Sequence, residues 1–293
     1  MKKFIKNWLD EYASIQWELG IVEGGIDEIM QGDYHVRWLQ HTYKDRWFAD
    51  PFILDANREQ IVLLVEEYLY SQKKGRIAKL VVDRNTMQII QNKTLLEKAT
   101  HLSFPAILRT NGKMYVYPEN SAEGHLEIYE YKEDSLFLKG ILCDEPLTDA
   151  VITNCFHDNR IYATKMPDPN GNVIGCYKAD GICDKYSLSN TVEFDGNNAR
   201  MAGDFFEYKG KVYKPSQDCN GRYGEAIKLY ETKDGNDYHL HSTLTSIHPK
   251  MRVGMHTINS YNGITVIDVM GYNHPFMGKI IKSLVKLKKL LFG

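Results

Sequence analysis

The sequence has no CxxC pair, no apolar run long enough to span a bilayer, and almost no net charge. Each absence removes a class of protein. Its five cysteines (Cys143, Cys155, Cys176, Cys183 and Cys219) are odd in number and lack metal-ligand spacing. Neither a disulfide scaffold nor a zinc site is expected, and reduced thiols suit a cytoplasmic protein. A formal net charge of −2 over 293 residues argues against nucleic-acid binding, which requires a basic face. Rossmann and P-loop fingerprints are missing, as is the acidic calcium loop, so no cofactor and no metal are expected. The N-terminal stretch MKKFIKNWLDEYASIQW lacks a leader-like apolar core, because Asp10 and Glu11 interrupt it. The expectation is a chain made and kept in the cytoplasm.

What is present is a repeat. From Ala49 the chain reads as short β runs separated by turns: ADPFIL, QIVLLVEEY, RIAKLVVD and MQIIQNKTLL. The pattern restarts with SFPAILRT, KMYVYPEN, HLEIYEYK and SLFLKGIL, where Asn111-Gly112 is a strong hairpin signal. AVITNCFH, RIYATKM, VIGCYKA and DKYSLS form a third set, and MAGDFFEY, KVYKPSQD, AIKLYET and DYHLHSTL a fourth. A fifth set, MHTINSY and ITVIDVMGY, then runs out of strands. Landmarks recur at roughly fifty residues, the range of propeller repeats. SIQWELGIV and YHVRWLQ near the N-terminus supply the missing strands, and closing the ring removes exposed sheet edges. The reading is an all-β, five-bladed β-propeller over residues 1–275, closed by N-terminal strands, with a C-terminal amphipathic helix over 276–293. An irregular β-sandwich or another blade number is the alternative.

In a propeller the first strand of each blade lines the central channel, and its start faces one open end. Polar side chains there must pair or bind something. The first-strand positions are Asp50, Ser103, Asp149, Arg200, Asp204 and His256; the second-strand positions are Glu66, Glu67, Glu119, Gln217, Asp218 and Asp268. Carboxylates flanking an anomeric carbon can serve as acid and as base or nucleophile. The catalytic candidates are therefore Asp50, Glu119 and Asp149. Candidate substrate-binding residues are Trp47, Glu67, Ser103, Arg200, Gln217, Asp218, Tyr223, His256 and Asp268. Glu66 and Glu67 are adjacent, so one points inward and one outward; spacing does not choose between them, and Glu67 is carried forward. His101, His157 and His274 are read as packing or surface histidines.

Several segments then acquire a collective meaning: Trp47-Phe-Ala-Asp-Pro-Phe-Ile, His101-Leu-Ser-Phe-Pro, Tyr117-Pro-Glu-Asn, Ala202-Gly203, Lys214-Pro-Ser-Gln-Asp-Cys with Tyr223-Gly224, and Gly254-Met-His-Thr with Ile267-Asp268. Together they resemble the N-terminal propeller domain of the glucosamine inositolphosphorylceramide transferase family, which has bacterial relatives in polysaccharide loci. The wider similarity is to propeller glycoside hydrolases of the furanosidase type. The resemblance implies Asp50 as base or nucleophile, with Glu119 and Asp149 as its partners. A sugar or activated-sugar substrate is expected, and the basic C-terminal tail adds a lipid-linked acceptor to that expectation.

Residues 276–292 (FMGKIIKSLVKLKKLLF) read as a basic amphipathic helix suited to an anionic membrane surface, the inner face in a cytoplasmic protein. A helix packed on the propeller's base is the alternative. The functional expectation is a glycosyltransferase of cell-surface polysaccharide or glycolipid assembly. A furanosidase-type hydrolase and a non-catalytic glycan-binding propeller are the rivals.

Overall fold

The computed structural model describes residues 14–153, 155–274, 277–278 and 280–283. Twenty strands form five antiparallel four-stranded sheets. Blade one is β3 (Arg46–Ala56), β4 (Gln60–Leu69), β5 (Lys74–Asp83) and β6 (Ile89–Leu96). Blade two is β7 (Ser103–Thr110), β8 (Lys113–Glu119), β9 (Leu126–Lys132) and β10 (Ser135–Cys143). Blade three is β11 (Leu147–Thr153), β12 (Asn159–Lys165), β13 (Val173–Ala179) and β14 (Ser187–Glu193). Blade four is β15 (Phe206–Tyr208), β16 (Lys211–Asp218), β17 (Ala226–Thr232) and β18 (His239–Leu244).

Blade five joins the two ends of the chain. Its order is β19 (Ile258–Tyr261), β20 (Ile264–Tyr272), β1 (Ile15–Val22) and β2 (Arg37–Trp38). β1 pairs with β20 along its whole length, from Ile15 opposite Tyr272 to Val22 opposite Thr265. The expected ring closure by N-terminal strands is observed. A short helix, α1 (Gly25–Gln31), lies between the two closing strands and was not expected.

Each blade is buried on both faces, which is why the strands read as almost continuous apolar runs. In β4, Ile61, Leu63 and Val65 pack toward Leu19, Ile21 and Val266 of blade five. Leu64, pointing the other way, packs toward Phe104 and Ala106 of blade two. Burying each such side chain stabilises the fold by about 1.5–3 kcal/mol. The outermost strands alternate with solvent, as in β6 and β14. Blades four and five approach so closely that a Cβ on Gly203, at φ +149°, would sit 1.8 Å from the Ile258 carbonyl oxygen. Only glycine fits there.

Of the expected C-terminal helix, residues 277, 278 and 280–283 are described and helical. Ile281 is buried, whereas Ile280 is exposed. The remainder of that element, with Lys279, Lys286 and Lys289, lies outside the described residues. No described helix is long and apolar enough to cross a membrane.

Candidate functional site at the channel mouth

The site begins with a backbone irregularity repeated in three blades. The innermost strand breaks register between Ala49 and Phe52, between Ser103 and Ala106, and between Thr148 and Val151. Inside each break one residue takes positive φ: Asp50 (49°), Phe104 (44°) and Asp149 (45°). Such a conformation is strained for a non-glycine residue, most of all for phenylalanine. The compensation is a hydrogen bond to a buried acid. Asp50 N donates to Asp268 Oδ2 (3.0 Å), Phe104 N to Asp50 Oδ2 (3.0 Å), and Asp149 N to Glu119 Oε2 (3.2 Å). Each bulge thus stitches a blade to an acid of the blade before it. Charge-assisted bonds of this kind are stronger than neutral ones.

One side of the mouth is a chain of acid, imidazole and acid. His256 Nδ1 lies 2.8 Å from Asp268, which also accepts the His256 and Thr257 backbone N–H groups. His256 Nε2 is 3.5 Å from Asp50 Oδ1, and the Thr257 hydroxyl donates to that same oxygen at 2.7 Å. Trp17, from the closing strand β1, stacks on the imidazole at 3.9 Å. Burial pushes the Asp50 carboxyl up to about 6, against the pull of His256. Burial alone would lower His256, but Asp268 and Asp50 outweigh it and raise its pKa.

The other side is built on Arg200. Its guanidinium donates two bonds to Asp149 (2.6 and 3.0 Å), one to Glu119 Oε2 (3.2 Å) and one to Asn170 (3.0 Å). Gln217 Nε2 adds a third bond to Asp149 at 2.6 Å. Burial pushes Glu119 up to about 8, opposed by Arg200 and reinforced by the Asp149 charge. Burial also acts on Asp149, but the charge and hydrogen bonds of Arg200 hold it below the ordinary carboxylate value. One guanidinium therefore carries a protonated acid and an ionised one.

Glu66 completes the ring. It is buried, and burial together with the charges of Asp50, Glu119, Asp268 and Asp149 pushes its pKa well up. Its Oε1 has no hydrogen-bond partner. His101 Nε2 stands 3.3 Å away, out of line for a bond, while its Nδ1 accepts Gly75 N at 2.9 Å. That contact fixes the neutral tautomer, with the proton on the nitrogen facing Glu66. Burial and the Arg200 charge both lower the His101 pKa. Gln217 Oε1 is likewise buried without a partner. Two orphaned acceptors at one channel mouth suit a ligand rich in hydroxyl donors.

The mouth therefore gathers Asp50, Glu119, Asp149, Arg200, Gln217, His256 and Asp268, all expected there. Ser103 is buried opposite Glu119 in the β7–β8 ladder. Tyr223 sits at the rim, its ring 5.3 Å from His256 and 5.2 Å from the Arg200 guanidinium carbon.

Other expectations are corrected. Glu67 points away from the channel and is held by Arg46 (2.6 Å), Arg76 (2.6 Å) and Asn92 (2.6 Å); Glu66 is the inward residue. Asp218 also points away, pairing with Lys228 at 2.9 Å, because its neighbour Gln217 takes the inward position. Trp47 stacks on Tyr68 at 4.5 Å and reaches the site indirectly, through Trp17 (6.5 Å away) and through Tyr68 to His101. Asp204 is pushed up to about 7 by burial and is influenced by Arg109, not by the mouth acids. His101, read as a packing or surface residue, faces Glu66. Trp17, Thr257 and Asn170 were missed altogether. Thr257 follows His256 in a segment already singled out, but Trp17 enters only through ring closure.

Asp50, His256 and Asp268 lie close enough together to suggest a metal. Their chemistry does not fit one. Both Asp268 oxygens already accept N–H donors, and those donors point where a cation would have to sit.

Residues 37–270 match the family described as "Glucosamine inositolphosphorylceramide transferase 1, N-terminal". The chain belongs to this family. Every mouth residue except Trp17 falls inside the matched region. The curated relative from Oryza sativa subsp. japonica, glucosamine inositolphosphorylceramide transferase 1, is 26% identical over 200 residues, 64% of this chain and 26% of that protein. Its Arabidopsis thaliana counterpart is 31% identical over 149 residues, 46% of this chain and 19% of that protein. The match thus spans about a quarter of the rice relative and less of the Arabidopsis one.

Solved structures share the fold at low identity. Zg3597, a family 117 glycoside hydrolase from Zobellia galactanivorans, superposes with a TM-score of 0.54 at 11% identity, covering 89% of this chain and 92% of that one. CoXyl43, a β-xylosidase/α-arabinofuranosidase from a compost metagenome, gives 0.53 at 10% identity, covering 80% and 93%.

Proposed function

We propose that the protein is a carbohydrate-active propeller that transfers a glycosyl group in the assembly of a cell-surface polysaccharide or glycolipid. The observation that carries this reading is the Arg200 guanidinium shared by Glu119 and Asp149, an arrangement in which burial raises Glu119 and Arg200 lowers Asp149, with Asp50 across the mouth pushed up to about 6. A glycosyl group at the mouth meets an acid able to give a proton and a carboxylate able to take one. Glu119 delivers its proton to the leaving oxygen as the anomeric C–O bond breaks. Asp50 accepts the proton of the incoming hydroxyl as the new C–O bond forms. Asp149 stays ionised and, with Arg200, keeps the Glu119 proton available. Glu66 and Gln217 offer acceptors to sugar hydroxyls.

The family's name supports a transferase, although the whole relatives are several times longer than the matched region. Their length favours one second reading, a propeller that binds glycan for a catalytic partner. On the proposed reading the chain works in the cytoplasm at the inner face of the membrane, with the basic tail against anionic lipid. The test is product analysis with nucleotide sugars, sugar phosphates and aryl furanosides, using the wild type and Glu119→Gln. Transfer to a hydroxyl acceptor, lost in the variant, supports the proposal. Free sugar as the sole product replaces transfer with hydrolysis, and binding without product leaves recognition alone.

A further inference from the structure

Beside the channel mouth lies a groove of about 730 Å³, a volume suited to a small-molecule ligand. Its walls carry Arg222, Lys250, Arg252 and Lys282, with Glu225 as the lining carboxylate. Elsewhere on the propeller many cations are paired, Arg37 and Arg84 with Glu23, Lys98 with Glu123 and Glu127, and Arg46 and Arg76 with Glu67, whereas Arg109 and Lys214 are held by carbonyl and hydroxyl oxygens. At the groove, among the described residues, none of the four lies in a close ion pair, although Lys250 interacts electrostatically with Glu18. Arg252 makes one bond, to the His248 carbonyl at 3.2 Å. Glu18 is the second acid within reach of Lys250, and it faces His248 at 3.4 Å. The groove therefore gathers four cations against two acids, Glu225 and Glu18, on a chain whose net charge is −2.

Its position gives that charge a meaning. The groove wall at Gly254 is pressed against the Tyr223-Gly224 loop: a Cβ on Gly254 would lie 2.1 Å from the Gly224 carbonyl oxygen, and Met255 N donates to that oxygen at 2.9 Å. Arg222 precedes Tyr223 in sequence, and the Tyr223 ring borders both His256 and Arg200. The Arg222–Gly224 loop thus borders both the basic groove and the acid-lined mouth. A ligand spanning both must be polar and hydroxylated at one end and anionic at the other.

We infer that the groove binds the phosphoryl group of a substrate whose sugar occupies the mouth. Arginine and lysine are the side chains that recognise phosphate oxygens. The sugar half of the inference rests on the proposed function; the phosphoryl half rests on the groove alone. Two sources share this chemistry: the diphosphate of a nucleotide sugar and the phosphodiester of a lipid headgroup.

The test is calorimetry on the full chain with inorganic pyrophosphate, a sugar 1-phosphate, the same sugar without phosphate, and a nucleotide diphosphate sugar. Flotation with phosphatidylcholine vesicles, with and without phosphatidylinositol, runs alongside. All four cations are exposed, so Arg222→Ala combined with Arg252→Ala leaves the core intact. The expected result is a loss of roughly tenfold or more in affinity for every phosphorylated probe that binds, with the neutral sugar unaffected. A nucleotide-sugar preference, or a phosphatidylinositol preference, identifies the source. Equal wild-type affinity for the phosphorylated and free sugar overturns the inference, as does unchanged or absent pyrophosphate binding in wild type and variant alike. Groove-dependent pyrophosphate binding with no sugar binding at all sustains the phosphoryl site and removes the sugar reading of the mouth.

Discussion

Glu66 and Glu67 are neighbours on one strand, both buried, and their fates are opposite. Glu67 meets two guanidinium groups and an amide, so its charge is fully answered. Glu66 meets other acids and keeps an oxygen without a partner. The first arrangement fastens β4 to its flanking strands. The second holds a carboxyl out of its ordinary state at the channel mouth, with His101 beside it. A buried acid by itself does not mark a functional site; one kept from a cationic partner, with its pKa pushed up, points to one.

The same substitution at the two positions should therefore separate them. Glu67→Gln removes the buried anion shared by Arg46 and Arg76, which keep Asp45 and Glu97, and should cost about 1.5–3 kcal/mol, read as a fall in the denaturation midpoint. Asp50→Asn tests whether the mouth is chemical as well as unpaired. It should lower turnover by about a hundredfold or more while the fold, checked by circular dichroism, persists.

The pH dependence follows from the raised acids. Asp50, displaced upward to about 6, and Glu119, to about 8, each bind a proton more tightly folded than unfolded. Their contribution to stability is present at low pH and is lost as pH rises through those values. Asp149, displaced downward, contributes above its unfolded pKa and loses its effect only in acid. Thermal midpoints should consequently decline from pH 6 to 8, and Glu119→Gln should flatten that slope. Turnover should peak between the two values, with Asp50 ionised and Glu119 protonated. The smallest effect is expected at Glu66→Gln: burial and the neighbouring acids already favour its neutral form, so stability should change by less than about 1 kcal/mol. A loss as large as that at Glu67 would erase the distinction between the two residues.

Much of this fold is legible in the residue order. Strands of period two, hairpin signals such as Asn111-Gly112, and landmarks repeating along the chain define the blades, because local sterics and turn chemistry act over a few residues. The short fifth set and the surplus strands near the N-terminus imply ring closure for the same reason. The site was legible only to the level of the strand. Alternation says that one of Glu66 and Glu67, and one of Gln217 and Asp218, faces the channel. Which one depends on contacts made across the ring: Glu66 sits opposite Ala49 beside the Asp50 bulge, and Gln217 bonds Asp149 of another blade. No local pattern records those bonds.

The sequence by itself determined the propeller, its blade number, its closure by N-terminal strands, and the strand ends that carry polar residues. All of these follow from short-range periodicity and from the need to bury both faces of every sheet. Tertiary structure alone decided that Glu66 turns inward and Glu67 outward. It also stacked Trp17 on His256, tied Glu119 to Asp149 through Arg200, and set the cations of the groove beside Tyr223. Protonation and pairing depend on charges brought within a few ångströms from distant points of the chain, and only the closed ring brings them there.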